Sequence, residues 1–533
     1  MSKDNRVLFS SEARKKLYAG LSVAAEAISC TLGPHGKTVL IQNGDGAPII
    51  TKDGVTVSKS IRLDDPVEMM GAQLLKEAAS QTNDTAGDGT TTSSVLTHAL
   101  VKGGLGLLDS GYNPKKISEG IDIAVRSITD IIISESHSIA NSEEIAQIGT
   151  ISANGDRSIG ELIASAMEKV GRDGIITVED AKGMATTLEI AEGMQFERGY
   201  LSPYFVNNNE KMNAVYHDAL VLVTDKKLSS MSELIGVLEG VVGSRKPLLV
   251  IADEVEGEAL QGLVLNRVKS QLPVVAIKAP GFGSARDEYL KDICVLTGAK
   301  LVSSSTGLQL DKVKIADLGK AKKFVVDAKS TTIVSPQETK LSVEEHVQDL
   351  RARTSDITNS YGELTSLKAR IARLAAGVAI IKVGGATELE MVERKYRIED
   401  ALHATRAAAE EGIVPGGGAA LFVAGRKARA ELAKKHQDRD ILAGIEVVLK
   451  ACAEPLRRIA ANSGKSPDVV EDEMARHLDR GLGYDASKGE FTDLVAAGVI
   501  DPVKVTRTAL KNSSSVAKLF LVLDAVVING DKN

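Results

Sequence analysis

Apolar residues recur at three- and four-residue steps along both ends of this 533-residue chain but gather into short β-type runs in its middle, and that change of period restricts the fold most. From Ser10 to Leu32, the residues Leu17, Leu21, Ala24 and Ile28 make one helical face, which "GPHG" ends. Short β-like pieces are expected at "TVLIQ" and "APIITKDGVTVS", joined by the turn-forming "NGDG", ahead of the helical pattern "PVEMMGAQLLKEAASQT". In the middle, "DALVLVTD", "KPLLVIAD", "LPVVAIKAP" and "AKKFVVDAK" alternate with the helical stretches "SELIGVLEGVV", "EALQGLVLNRVKS" and "RDEYLKDICVLTG". That alternation predicts an α/β domain with a partly parallel sheet. From about Ser342 charged, Ala-rich helix returns. The pattern predicts a multidomain α and α/β protein, with a domain flanked by Gly193 and Gly377 inserted between two helical halves that fold together. The length suits about three or four domains.

The 43% hydrophobic content is enough for several cores, but aromatics are only 3% and Trp is absent, so stacking platforms for single strands are scarce. The 65 basic and 71 acidic residues give a net charge of −6 with no long Lys/Arg block, which disfavours nucleic acid as a partner. Cys30, Cys294 and Cys452 are far apart and form no CxxC, which fits free thiols in a reducing compartment. The N-terminus threads charges through its apolar residues, unlike a signal peptide, and "VAKLFLVLDAVVING" is interrupted by Lys518 and Asp524 and too short to span a bilayer. A soluble cytoplasmic protein without a membrane partner is expected.

The chemistry concentrates in "NDTAGDGTTTSSVL", where Asp88 stands between Gly87 and Gly89 and three threonines open an apolar helical run. A helix N-terminus presents unpaired N–H groups that attract anions, and a carboxylate beside it can hold a hard cation. Two further glycine turns, "TLGPHGK" at 31–37 and "TKDGVTV" at 51–57, add hydroxyls, a cation and a carboxylate, the inventory needed around a triphosphate and a metal ion. No GxxxxGK[ST], HExxH or GxSxG is present, and "PGFGSARDE" lacks the third glycine of a dinucleotide fingerprint. Any nucleotide chemistry must therefore use another architecture.

"TLGP", "TKDGVTV", "MGAQLLKEAASQT", "AGDGTTT", "RGYLSPYF", "VEGEAL", "KAPGFG", "EDALHATRAAAEEGIVPGGG" and "DPVKVTR", collinear from about residue 3 to about residue 528, closely resemble the group I chaperonins, the GroEL family. The resemblance implies the chaperonin fold: a mainly helical equatorial domain at 1–134 and 411–533, a small intermediate domain at 135–191 and 379–410, and an α/β apical domain at 192–378. It implies an ATP-dependent chaperone that captures non-native polypeptides in homo-oligomeric rings of seven subunits, with a co-chaperonin lid as a further partner. ATP and Mg²⁺ are the implied cofactors, with K⁺ as an optional second ion. The alternative is a chaperonin-like ring serving as a dedicated assembly scaffold.

Carried over by position, Thr31, Leu32, Gly33, Pro34, Lys52, Asp88, Gly89, Thr90, Thr91, Thr92, Gly417, Asp485, Ala486, Ser487 and Asp501 would bind ATP. Among them Asp88 would ligate Mg²⁺, Gly417 would sit against the nucleotide, and Asp501 would face the ribose. Asp53 and Asp400 are the implied hydrolytic carboxylates, Asp400 arriving after ATP binds. The implied polypeptide-binding surface is Tyr200, Ser202, Tyr204, Phe205, Ile235, Leu238, Leu260, Val264 and Leu265. The chain departs from the family in ending at "VVINGDKN" without a Gly-Gly-Met tail, in Asp485 where asparagine is usual, and in Pro415 before the triple glycine. It also keeps Arg457, adds Arg458, and offers Lys465 and Ser466 where acids of the ring-to-ring contact are usual. The expectation there is charge repulsion and a weakened contact, strongest at low salt, unless Asp468 compensates.

Overall fold

The computed structural model describes residues 6–42, 48–139, 141–153, 155–171, 174–181, 183–209, 211–270, 272–356, 361–375, 377–477 and 482–528. The chain divides into two compact units, cut at Ser165/Ala166 and Met391/Val392. The expected equatorial segments lie in the first unit and the expected apical segment in the second; the expected intermediate segments are shared between them.

The first unit is built on long helices, including Ser10–Ser29, Pro66–Ala86, Thr90–Asp109, Pro114–Ser134 and Val503–Val522. Their apolar stripes supply the core: Leu17, Leu21 and Ile28 on the first, Ile117, Ile121, Ile128 and Ile132 on the fourth. Start signals are explicit. Asp65 accepts from the backbone N–H groups of Val67 and Glu68, Asn113 accepts from those of Lys115 and Lys116, and each cap is followed by a proline in the first turn. The first two of these helices cross at a pair of glycines: a Cβ on Gly20 would fall 1.8 Å from the Glu68 carbonyl oxygen, and one on Gly71 1.8 Å from that of Leu17. Only glycine permits that approach. The chain ends are joined where strand Arg6–Phe9 pairs antiparallel with Ala525–Ile528.

Helix Val503–Val522 buries twelve of its twenty residues, Ser513 among them, so its buried polar residues need partners inside the protein. Ser513 bonds to the hydroxyl of Ser93 (3.1 Å) and donates to its carbonyl (2.8 Å), while Asn512 donates to Thr82 Oγ1 at 3.1 Å. This seam fixes the helix that begins at Thr90.

The second unit carries a six-stranded sheet in the order Val274–Lys278, Leu248–Ala252, Ala214–Val223, Gly319–Val326, Thr331–Val334, Gly193–Phe196. The first three strands are parallel, with Leu220 beside Leu248 and Leu248 beside Val274; the rest are antiparallel. Leu248–Ala252, between two parallel neighbours, is buried at every position, which is why its sequence reads as an unbroken apolar run. All four β-type runs of the middle segment are strands of this sheet, and the three intervening helical stretches are helices Ile235–Ser244, Gly257–Lys269 and Gly283–Thr297. A separate three-stranded sheet joins Ile175–Asp180, Val378–Val383 and Thr187–Ala191. The multidomain α and α/β class follows.

One expectation fails. "APIITKDGVTVS" is not extended throughout: strand Ile49–Thr51 gives way to a helix at Gly54–Ser60. The β-branched residues favour a strand, but Asp53 accepts from the backbone N–H groups of Val55 (2.9 Å) and Thr56 (2.8 Å) and nucleates the helix instead. The "NGDG" turn lies outside the described residues. Gly193 is paired within a strand, while Gly377 has a left-handed φ of +65°. Among the described residues no helix is long and apolar enough to cross a membrane.

Candidate nucleotide site

A cavity of about 640 Å³ opens inside the first unit, a size suited to a cofactor or drug-sized ligand. Its wall gathers the turns at 31–34, 51–56 and 88–92, the glycines at 417 and 418, the hairpin at 484–488 and the strand at 500–502. Every residue assigned above to ATP or to hydrolysis lines it: Thr31 to Pro34, Lys52, Asp53, Asp88 to Thr92, Asp400, Gly417, Asp485 to Ser487 and Asp501.

Asp88 is set by its glycines. Gly87 ends the preceding helix at φ 75° and Gly89 begins the next at φ 92°, both left-handed. A Cβ on Gly87 would strike the Cβ of His403 at 2.2 Å, so helix Glu388–Glu411 rests directly on the Asp88 turn. Gly54 packs as closely on Thr91, bringing Asp53 to the same place. The helix starting at Thr90 has no side-chain cap, so its first-turn N–H groups are left for a ligand or water. Thr90 Oγ1 is likewise buried without a hydrogen-bond partner among the described residues. An uncapped N-terminus beside an orphaned hydroxyl suits an anion.

The carboxylates around it suit a cation. Burial pushes the Asp88 carboxyl up, against the N–H of Gly89 (2.5 Å) and the Ser152 hydroxyl (3.4 Å), and the charge of Asp53 pushes it further. Burial, then the charge of Asp88, raises Asp501 to about 7. Both residues keep some surface on the cavity while the surrounding protein strips most of their hydration. Both oxygens of Asp53 already accept: Oδ1 from the N–H of Val55 (2.9 Å), and Oδ2 from the N–H (2.8 Å) and hydroxyl (2.6 Å) of Thr56. Among the described residues no group of three metal-ligating side chains could hold an ion unaided. A cation here must take oxygens from a bound ligand or water as well.

At the hairpin end, Asp485 is nearly fully buried and turned inward. One of its oxygens accepts from the N–H (2.9 Å) and hydroxyl (2.6 Å) of Ser487, and Lys488 stands 3.8 Å from the other. Gly417 is fixed by its backbone, at φ +65°, more than by crowding, since a Cβ would meet nothing closer than 3.5 Å. Pro415 ends the short strand Ile413–Pro415, opposite Ile500.

The family model for the TCP-1/cpn60 chaperonins matches residues 24–531. The chain belongs to that chaperonin family. Among solved structures it is similar to the chaperonin gp146 of bacteriophage EL 2 (Pseudomonas aeruginosa), crystallised in the presence of ATP-BeFx. Two crystal forms match at 22% and 23% identity and TM-scores of 0.69 and 0.64, each covering 99% of both chains. The chaperonin fold expected from the sequence is therefore the fold of this chain.

In the chaperonin's second unit the residues assigned to polypeptide capture divide by exposure. Tyr204, Ile235 and Leu265 are 69%, 47% and 52% exposed, while Tyr200, Ser202, Leu260 and Val264 are half-buried. Phe205 and Leu238 belong to the core instead, at 0% and 7%. Phe205 lies in a single turn capped by Ser202, which directs the ring inward and leaves Tyr204 outside. Val242 and Val268, which the sequence reading did not select, are exposed on the helices that carry Ile235 and Leu265.

Several cavity residues of the chaperonin also escaped that reading, among them Gln147, Thr150, Glu393, Tyr396 and Arg397. The signal was there for the last three. Glu393, Tyr396, Arg397 and Asp400 are spaced i, i+3, i+4 and i+7, one face of helix Glu388–Glu411.

Proposed function

We propose that this chaperonin is an ATP-driven folding chamber of the group I kind, which captures non-native polypeptides on apolar surface and releases them on ATP binding and hydrolysis. The observation that carries the proposal is Asp88, held between two left-handed glycines beside an uncapped helix start and an orphaned threonine hydroxyl, in a cavity of cofactor size. The similarity to a chaperonin crystallised with ATP-BeFx supports it. The 31–34 turn, Lys52 and the first-turn amides of Thr90 to Thr92 would hold the polyphosphate, and Asp485 to Ser487 would flank the base.

The raised, mutually repelling carboxyls of Asp88 and Asp501 fit a divalent ion, and Asp88, next to the helix start at Thr90, would be its protein ligand. Mg²⁺ there would neutralise phosphate charge. Asp53 and Asp400 would orient and deprotonate the attacking water, a task that rests on position as much as on pKa. K⁺ is an optional second ion.

Rings of seven subunits, with a co-chaperonin lid, would enclose the client in the cytoplasm, and segments 135–191 and 379–410 would pass motion between the ATP-binding and capture domains. Capture would fall to the exposed Tyr204, Ile235 and Leu265, with Val242 and Val268 extending the patch, since apolar surface without fixed hydrogen bonds accepts many sequences. The test is refolding of an unfolded client with ATP, by the wild type and by Asp88→Ala. Refolding and ATP turnover lost together in the variant, with the fold retained, support the proposal; refolding by the variant at the wild-type rate overturns it.

A further inference from the structure

The side chains of the cavity wall are unfavourable to a polyphosphate as a set, with seven carboxylates against four cations. Two of the cations are engaged elsewhere. Lys488 stands by Asp485, and Arg157, with a side chain 69% exposed, donates to Glu161 at 2.8 Å and meets Glu143 at 3.5 Å. Lys52 belongs to the site already described.

Arg397 differs from the other three. Its side chain is only 29% exposed, its Nη2 has one ion pair of 3.3 Å to Glu393 a helical turn away, and its Nε is buried with no hydrogen bond among the described residues. A charged donor so placed is costly to leave unbonded, unless a ligand completes it. A guanidinium presents its donors as a planar fork, and the groups that match a fork are carboxylate and phosphate oxygens. The position is also set. Arg397 shares a helix face with Asp400, and the same helix packs through His403 on Gly87, next to Asp88. Its charge also reaches Asp156, at the start of helix Arg157–Val170.

We propose that Arg397 donates hydrogen bonds to the terminal phosphate of the bound nucleotide and so makes the site prefer a triphosphate to a diphosphate. The inference rests on the ATP reading of the cavity. It gives the helix face two roles, with Asp400 acting on water and Arg397 one turn earlier sensing the phosphate that the water attacks.

The test is calorimetric binding of ADP and of a non-hydrolysable ATP analogue, each with Mg²⁺, to the assembled wild type, Arg397→Ala and Arg397→Lys. Arg397→Ala should weaken the analogue by about tenfold or more while moving ADP by less than about twofold, the scale of one charged hydrogen bond. Arg397→Lys, which keeps a point charge without the fork, should restore part of the loss. Should Arg397→Ala fail to assemble, Arg397→Lys decides alone, by a reduced preference for the analogue over ADP. Equal weakening of both nucleotides would mark Arg397 as structural and overturn the inference, as would an unchanged preference. A wild type that binds neither nucleotide would overturn the ATP reading as well.

Discussion

At the scale of single residues, the cavity makes Asp88 and Asp501 separable. Asp88→Ala should abolish Mg²⁺-dependent ATP turnover with the fold intact, and near-normal ATPase activity would remove the assigned site. Asp501 has a different readout. Its carboxyl titrates near about 7 in the folded protein and near about 3.9 unfolded, so between those values the folded state holds a proton that the unfolded state has released. Stability of the nucleotide-free, metal-free protein should therefore fall as pH rises from about 4 to about 7, by at most about 1.4 kcal/mol per unit from this group. Asp501→Asn should flatten that slope, as urea midpoints at pH 5 and pH 7.5 would show; an unchanged slope would mean that Asp501 is ionised in the fold. The glycine turn that holds Asp88 was legible because its motif is local. The spacing of Glu393 and Arg397 with Asp400 marks one helix face, but that this face lines the wall was not legible, because it depends on helix Glu388–Glu411 docking through Gly87 and His403, residues more than 300 apart in sequence.

At the scale of elements, the same residue can serve chemistry and folding, and Asp53 does both. It lines the cavity and caps helix Gly54–Ser60. Asp53→Ala should lower stability by about 1 kcal/mol through the lost cap, besides slowing hydrolysis, whereas Asp53→Asn should keep the cap and lose only rate. Thermal unfolding read beside ATP turnover separates the two, and equal melting of all three proteins would show that the cap contributes nothing. The central strands were readable from sequence because burial on both faces leaves an apolar run with no alternation to misread. Helix Gly54–Ser60 was not, since a seven-residue β-branched segment is decided by one capping carboxylate rather than by period. Exposure was equally hidden: Phe205 and Tyr204 are adjacent and both aromatic, yet one is core and the other surface.

At the scale of the whole molecule, the resemblance places the segment around 462–470 where rings meet, and there the structure changes the expected electrostatics. The sequence suggested an unmatched Arg457 facing Lys465, hence repulsion at low salt. Arg457 instead pairs within its own chain with Glu454 at 3.3 Å, Asp468 at 2.8 Å and Glu471 at 2.5 Å, while Arg458 pairs with Glu26 at 2.9 Å. A guanidinium already held by three carboxylates gains little from a fourth and repels little, so its contribution across rings should lie near the low end of exposed ion pairs, about 0–1 kcal/mol. Lys465, Ser466 and Asp468 stay exposed at the segment beside Val469 at 55%, so the charge left facing outward there is mixed in sign. The balance of single and double rings should therefore respond weakly to salt. Asp468→Asn with Glu471→Gln should free Arg457 and restore the repulsion, populating single rings most at low salt, where screening reaches least. Mass measurement in solution at low and high salt, without nucleotide and with ADP or ATP, decides it. A wild type that splits into single rings as salt is lowered would show that Arg457 and Lys465 face the opposite ring with their charge uncompensated.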